Sequence, residues 1–305
     1  MSSVYDVSVV IPTYRRERVL VDTVRALLQL SPPVGEILLV DQTERHESAT
    51  QQVLQTWADA GRIGWLRLAT PSIPVAMNRG LLAARGEFVL FLDDDIIPEP
   101  ELVSAHIDAH RQTHAGLVAG RIIQTWEEDL DFAARDELGF HFAGLRARWI
   151  DEFMGGNFSV RRDTAIALGG FDENFVRVAY RFEAEFADRW LQTGHRIYFA
   201  PRACIHHLKA ISGGTRTFGD HLKTAKPDHA VGEYYFLLRA KGAKQRFRRF
   251  LTRPLQALAT RHHLRRPWWI PATLGAELLG IVWAIGLYLR GPRLLRQSVV
   301  EGPST

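Results

Sequence analysis

A chain of 305 residues, 46% of them hydrophobic, is long enough to bury one large α/β core with a smaller addition, and its single cysteine, Cys204, excludes an internal disulfide framework. No charged segment runs into an apolar one at the start, so the main body is expected to be cytosolic. The formal charge of +4 is unevenly spread: residues 1–238 carry 25 Lys and Arg against 32 Asp and Glu, whereas residues 239–305 carry 13 against 2.

The first predicted element is a buried strand over Val7–Pro12, with Thr13–Arg16 as the turn out of it. A helix follows from Glu17 to Leu30, where Leu20, Val24, Leu27 and Leu28 recur at helical spacing and Ser31-Pro-Pro-Val-Gly35 ends the run. Glu36–Asp41 is a second strand, which makes a right-handed βαβ crossover. A helix up to Trp57, a strand over Ile63–Leu68 and a helix over Pro74–Arg85, opened by proline and closed by Gly86, come next. Phe88–Leu92 is apolar at every position, as in a strand buried on both faces of a parallel sheet, and it runs directly into Asp93, Asp94 and Asp95. Glu99–Thr113 reads as a helix and Gly116–Arg121 as a strand. From there to Trp149 the periodicity is poor and aromatic residues are frequent, fitting either acceptor contacts or a segment covering a sheet edge. Gly194–Pro201 is a last strand, followed by Cys204-Ile-His-His207.

Ligands of parallel sheets bind outside the carboxyl ends of the strands, which is where Asp41 and Asp93–Asp95 fall. Three adjacent carboxylates repel one another unless a cation is present, and oxygen ligands favour Mg²⁺, Mn²⁺ or Ca²⁺ over zinc; the alternative is a cap for the helix near Glu99. With no G-x-G-x-x-G and no P-loop in the first turn, a dinucleotide or P-loop site is disfavoured. Asp41 fits a contact to the base or ribose of a nucleotide, or else a helix cap. Lys209 and Arg216 put two cations around a glycine-rich loop that either folds over a diphosphate or stays solvated.

Ser8–Tyr14, Leu39-Val-Asp41, Asn78-Arg-Gly80, Phe91–Asp95, Gly155-Gly-Asn-Phe-Ser-Val-Arg-Arg162 and Gly169-Gly-Phe-Asp-Glu173 occur in one order over the first 210 residues or so. Together they resemble the family 2 glycosyltransferases, inverting enzymes of the GT-A fold. The resemblance implies an α/β fold with a mostly parallel, Rossmann-like sheet flanked by helices. It divides the chain into a glycosyltransferase domain over 1–230, with a nucleotide-sugar half to 121 and an acceptor and base half from 122, and a helical extension over 231–305. It implies that Pro12, Thr13, Tyr14, Arg15, Asp41, Asn78, Asp93, Asp94, Gly155, Gly156 and Asn157 bind a nucleotide-diphosphate sugar, to which Lys209 and Arg216 of the glycine-rich loop add two candidate donor contacts by their charge. Asp93, Asp95 and a histidine after the last strand, His207 in preference to His206, would hold Mn²⁺ or Mg²⁺. The family's catalytic base stands six residues before an arginine; counted back from Arg189 this is Glu183, with Glu185 as the second candidate. The acceptor is a saccharide or lipid-linked hydroxyl. A nucleotidyltransferase and a non-catalytic sugar-nucleotide binder are the rival readings.

The basic tail needs a polyanionic partner, and the apolar run Trp268–Leu289 behind it favours an anionic membrane surface over nucleic acid. Lys241–Arg266 reads as a basic amphipathic segment of the kind that lies on an anionic membrane. Glu277 and three glycines interrupt the apolar run, so interfacial docking at the inner face of the cell membrane is expected rather than a span.

Overall fold

The computed structural model describes residues 6–127, 129–214, 217, 226–240 and 243–295. In its first half, β1 (Val7–Thr13), β2 (Glu36–Asp41), β3 (Gly64–Arg67) and β4 (Phe88–Leu92) are parallel and separated by α1 (Arg18–Leu28), α2 (Ser48–Asp59) and α3 (Ile73–Ala83). Alternate residues of each strand feed two cores, as the period of two requires. Val7, Val9 and Ile11 with Phe88, Leu90 and Leu92 face one helical layer; Val10 with Val89 and Phe91 faces the other. Leu20, Val24 and Leu27 of α1 fill the first core, and Ala76, Met77 and Leu81 of α3 the second.

The second half is mixed. It contains β5 (Ile96–Pro98), α4 (Leu102–Thr113), β6 (Leu117–Gln124), α5 (Phe132–Leu138), β7 (Arg148–Ile150), β8 (Asn157–Arg161), α6 (Arg162–Ala167), α7 (Phe182–Gln192) and β9 (Ile197–His207). The sheet order is β3-β2-β1-β4-β8-β6-β9-β5, with β7 on β9. Strand β8 runs antiparallel to β4 and β6, and β5 and β7 run antiparallel to β9, so the parallel order holds for the first half and gives way beyond it. The stretch 122–149 supplies α5 and the edge strand β7. The expected strand ending at Pro201 continues to His207: three residues, 201–203, bulge out where Gly120 pairs Ala200 but Arg121 pairs Cys204.

The segment after residue 230 packs on this body. It forms α8 (Asp228–Arg239), α9 (Ala243–Leu258), α10 (Arg261–Arg265), a 3₁₀ turn over Pro267–Trp269 and α11 (Ile270–Arg290). Tyr234 and Tyr235 of α8, with Ala284 and Leu287 of α11, belong to the same core as Phe91 and Phe186. Tyr235 donates to Asp172 (2.7 Å), Asn174 donates to the Gly291 carbonyl (2.7 Å), and Leu295 N–H donates to the Gly169 carbonyl (2.8 Å). A boundary at residue 230 therefore cuts through a packed layer.

Helix α9 is oriented against its composition. Three of its four arginines reach protein acids, Arg246 with Asp188 of α7 (3.1 Å), Arg249 with Glu233 of α8 (2.7 Å) and Arg253 with Glu277 of α11 (3.2 Å), while Arg248 is exposed. Phe247, Leu251 and Leu255, one helical turn apart, are exposed instead. Helix α11 likewise buries Ala276, Glu277 and Gly280 against the protein and exposes Leu274, Leu278, Val282, Ile285 and Leu289 at helical spacing. The acid that interrupts the apolar run thus faces protein, where Tyr234 donates to it at 2.6 Å.

Candidate active site

A cleft of about 320 Å³, within the range of small-molecule sites, opens at the carboxyl ends of β1 and β4. Pro12, Thr13, Tyr14, Arg16 and Gln42 line one side of it. Asp93–Asp95, Gly155 and Gly156 line the floor, and Arg177–Tyr180, Phe182 and Glu183 the other side.

The floor holds a set of side chains that could ligate a metal ion. Carboxylate oxygens of Asp93 and Asp95 and a ring nitrogen of His207 lie within 4.8 Å of one another. His207 Nε2 is 3.1 Å from Asp95 and 3.7 Å from Asp93, while its Nδ1 meets Gln124 Oε1 at 2.9 Å. With Nδ1 on the amide oxygen, Nε2 faces both carboxylates, where it either shares a proton with them or, unprotonated, offers its lone pair to a divalent cation. Two oxygens and one imidazole suit Mn²⁺ or a similar divalent ion. His206, the next residue of β9, points to the opposite side, as alternation demands, and bonds Glu99 at 2.8 Å. Burial raises the Asp93 carboxyl above its ordinary range even though 47% of its side chain is open to the cleft, with His207 opposing the rise. Burial would raise Asp95 too, but the hydrogen bond and charge of His207, with Arg16, hold it below the usual range.

Arg16 is the residue that reading the sequence missed. Only 7% exposed, it pairs with Asp94 (3.1 Å) and Asp95 (3.2 Å) and donates to the carbonyls of Ala210 (3.2 Å) and Ser212. It neutralises part of the triplet's charge and ties the segment after β9 over the β1 turn, where Gly214 N–H donates to the Tyr14 carbonyl at 2.7 Å. The signal was present: three adjacent acids at the end of a buried strand, of which Asp94 and Asp95 are themselves buried, need a cation beside them. Asp94 is a strut between Thr13 (2.6 Å) and Arg16, and burial pushes its pKa up to about 7 against both partners.

Several residues expected to touch a donor have other occupations. Asp41 is fully buried: it accepts from Thr43 N–H (2.8 Å) and Trp65 Nε1 (3.0 Å) and pairs with His46 (2.9 Å), and Gln42 reaches the cleft in its place. Asn78 bonds both backbone groups of Phe171. Asn157 lies inside the sheet, donating to the Arg121 (3.0 Å) and Ala203 (2.9 Å) carbonyls that the bulge in β9 leaves unpaired, with His106 on its Oδ1. Arg15 is exposed and stacks on Tyr14, 5.2 Å from the ring centroid. Lys209 lies over Trp126 (3.8 Å) and does not line the cleft. Arg216 lies outside the described residues.

Glycine is required at 156 for a local reason: a Cβ there would stand 2.2 Å from Asp93 Oδ2. Gly156→Ala is expected to swing Asp93 aside and weaken Mn²⁺-dependent nucleoside diphosphate binding about tenfold or more, measured by titration calorimetry. Unchanged binding would remove Asp93 from the ligand set.

The two candidate bases separate. Glu183, in the first turn of α7, lines the cleft, and burial raises its carboxyl to about 7; its own backbone N–H and Arg181 oppose the rise, and the charge of Asp93 adds to it. Glu185 is turned inward, 2% exposed, and holds Arg189 at 2.7 and 2.9 Å. Arg189 in turn donates to the Leu168 (3.0 Å) and Gly170 (2.8 Å) carbonyls, so Glu185 braces the Gly169–Glu173 turn. The loop before α7 places Arg177, Ala179 and Arg181 in the left-handed region, with φ of 57°, 50° and 74°. Such conformations cost about 1 kcal/mol or more each and persist where packing overdetermines them. Here Arg181 pairs with the fully buried Glu233 (2.8 Å) and Arg177 with Asp228 (2.7 Å), both on α8.

Comparison with known proteins agrees with this geometry. A 27% identity over 223 residues, 66% of this chain and 68% of the relative, links it to the glucosyl-dolichyl phosphate glucuronosyltransferase of Haloferax volcanii. The probable glycosyltransferase YdaM of Bacillus subtilis is 24% identical over 218 residues; these are 67% of this chain but half the length of that protein. The mannosyltransferase PcManGT of Pyrobaculum calidifontis, solved with GDP-Man and Mn²⁺, superposes with a TM-score of 0.56 at 19% identity, covering 94% of this chain and 79% of that one. That likeness places the mixed sheet with its flanking helices in the GT-A fold. Residues 8–169, more than half of the chain, match the model of glycosyl transferase family 2, and the chain belongs to that family.

Proposed function

We propose that this glycosyltransferase moves a sugar from a nucleotide-diphosphate sugar to a hydroxyl of a lipid-linked saccharide, with inversion, at a membrane surface. The observation that carries the reading is Glu183 in the same cleft as Asp93, Asp95 and His207, near enough for the Asp93 charge to raise its carboxyl. A divalent ion held by those three residues would neutralise the charge that develops on the departing diphosphate. Glu183 takes the proton from the acceptor hydroxyl as its oxygen bonds the anomeric carbon and the bond to the diphosphate breaks. A single displacement of this kind inverts the anomeric centre. A base tuned to about 7 suits a hydroxyl, which must lose a proton to attack, better than an already ionised phosphate acceptor. The Haloferax relative, named for a glucosyl-dolichyl phosphate substrate, supports the acceptor class.

The test is to supply UDP- and GDP-sugars with Mn²⁺ and a membrane lipid extract and to follow nucleoside diphosphate release and product configuration. Release that depends on lipid, with inverted product, is expected. Retained configuration would sink the mechanism, and pyrophosphate released from nucleoside triphosphates would indicate a nucleotidyltransferase.

The membrane part of the reading rests on the exposed stripes of α9 and α11. Because Arg246, Arg249 and Arg253 face protein acids while Phe247, Leu251 and Leu255 are exposed, attachment is expected to depend on apolar insertion more than on charge. Leu251→Glu with Leu255→Glu should therefore release the protein from phosphatidylcholine vesicles, and high salt should not. Complete release of the unaltered protein by salt would return the attachment to electrostatics.

A further inference from the structure

Arg177 has no part in the mechanism above, yet it stands at the junction of the cleft and the C-terminal helices. It lines the cleft and its guanidinium lies over the ring of Trp283 in α11, 5.4 Å from the centroid. Its side chain is 44% exposed and Nη1 bonds Asp228; its remaining N–H groups meet no hydrogen-bond partner among the described residues. The left-handed backbone at Arg177, together with Asp228 and Trp283, fixes where the guanidinium points. Asp228 itself is 1% exposed and braces Arg177 from behind through one oxygen. Trp283 is flanked on α11 by Val282 and Ile285 of the exposed apolar stripe.

We propose that Arg177 binds the phosphate joining the acceptor's sugar to its lipid, and that the alkyl chain leaves the cleft along the outer stripe of α11. This rests on the lipid-linked reading of the acceptor. The donor's diphosphate has the aspartates and His207 on the floor and leaves no requirement for a second cation on the side that carries the base. A saccharide whose hydroxyl meets Glu183 carries its linking phosphate one sugar away. Arg177, six residues earlier in the loop that leads into α7, offers a planar fork of donors suited to phosphate, backed by an aromatic face.

Titration calorimetry of the full chain with n-octyl phosphate, neutral n-octyl glucoside, inorganic phosphate, and UDP or GDP with Mn²⁺ tests the proposal. Arg177→Gln should weaken n-octyl phosphate about tenfold or more while leaving n-octyl glucoside and nucleoside diphosphate within a few fold. Equal n-octyl phosphate affinity in both proteins overturns it. So does a selective loss of nucleoside diphosphate, which would assign Arg177 to the donor, or inorganic phosphate binding as tightly as n-octyl phosphate, which would leave no lipid component. Should Arg177→Gln fail to fold, Arg177→Lys keeps the charge and loses the fork; a loss of about threefold for n-octyl phosphate is then expected, and none overturns the proposal. Failure of the glycosyltransferase reading shows separately, as absence of nucleoside diphosphate binding with Mn²⁺ in the unaltered chain.

Discussion

Glu183→Gln is expected to lower turnover by roughly 10² to 10⁴ while donor affinity stays within a few fold, because a general base acts only as the acceptor oxygen attacks. The pH profile gives an independent reading. Burial lifts this carboxyl to about 7, so the ionised base is lost as pH falls through that value. kcat/KM should then fall about tenfold per pH unit on the acid side and level off above it; an ordinary carboxylate would keep the profile flat to near pH 5. Asp94 also sits near 7, but it faces Thr13 and Arg16, so Asp94→Asn should leave the midpoint in place. Glu185→Gln serves as the contrast. It leaves Arg189 without its buried partner and should cost stability, about 3 kcal/mol by denaturant unfolding, with the pH midpoint unchanged. A larger loss of turnover at equal stability in Glu185→Gln than in Glu183→Gln would mean that the base is misassigned.

The second large effect is expected at the metal set. For the unaltered protein, Mn²⁺ with UDP or GDP at about a hundred times its Kd should raise stability by about 2.7 kcal/mol. In Asp95→Ala that increment should vanish, since Asp93 and His207 alone offer too few ligands to share an ion with the diphosphate. Asp95 also accepts from Arg16 and from Ala210 N–H (2.7 Å), so the mutant will melt lower without ligand. The quantity that decides is therefore the ligand-induced increment, not the melting temperature. A full increment in Asp95→Ala would reduce the aspartate cluster to a structural strut around Arg16.

Much of this protein was legible in its sequence wherever the cause is local. The short apolar runs at Val7, Glu36 and Phe88 become the strands they predict, because three to five consecutive apolar residues, rich in Val, Ile and Leu and bounded by polar or turn residues, have few other solutions. The aspartates stand at a strand's carboxyl end, and Glu183, picked out by the family resemblance, lies in the first turn of α7 and lines the cleft. What the sequence left open was the direction in which polar groups face. Asp41, Asn78, Asn157 and Glu185 stand in motifs that suggest ligand contact, yet each meets a partner from its own chain: His46, Phe171, the carbonyls of a bulged strand, and Arg189. Arg16 gained its role from acids 78 and 79 positions away. Arg246, Arg249 and Arg253 of α9, read from composition as a membrane contact, meet Asp188, Glu233 and Glu277, which arrive from three other helices. A buried polar group must be paired, and the identity of its partner is fixed by which distant segments the packed core brings beside it; that information is held in the tertiary structure and not in any window of the sequence.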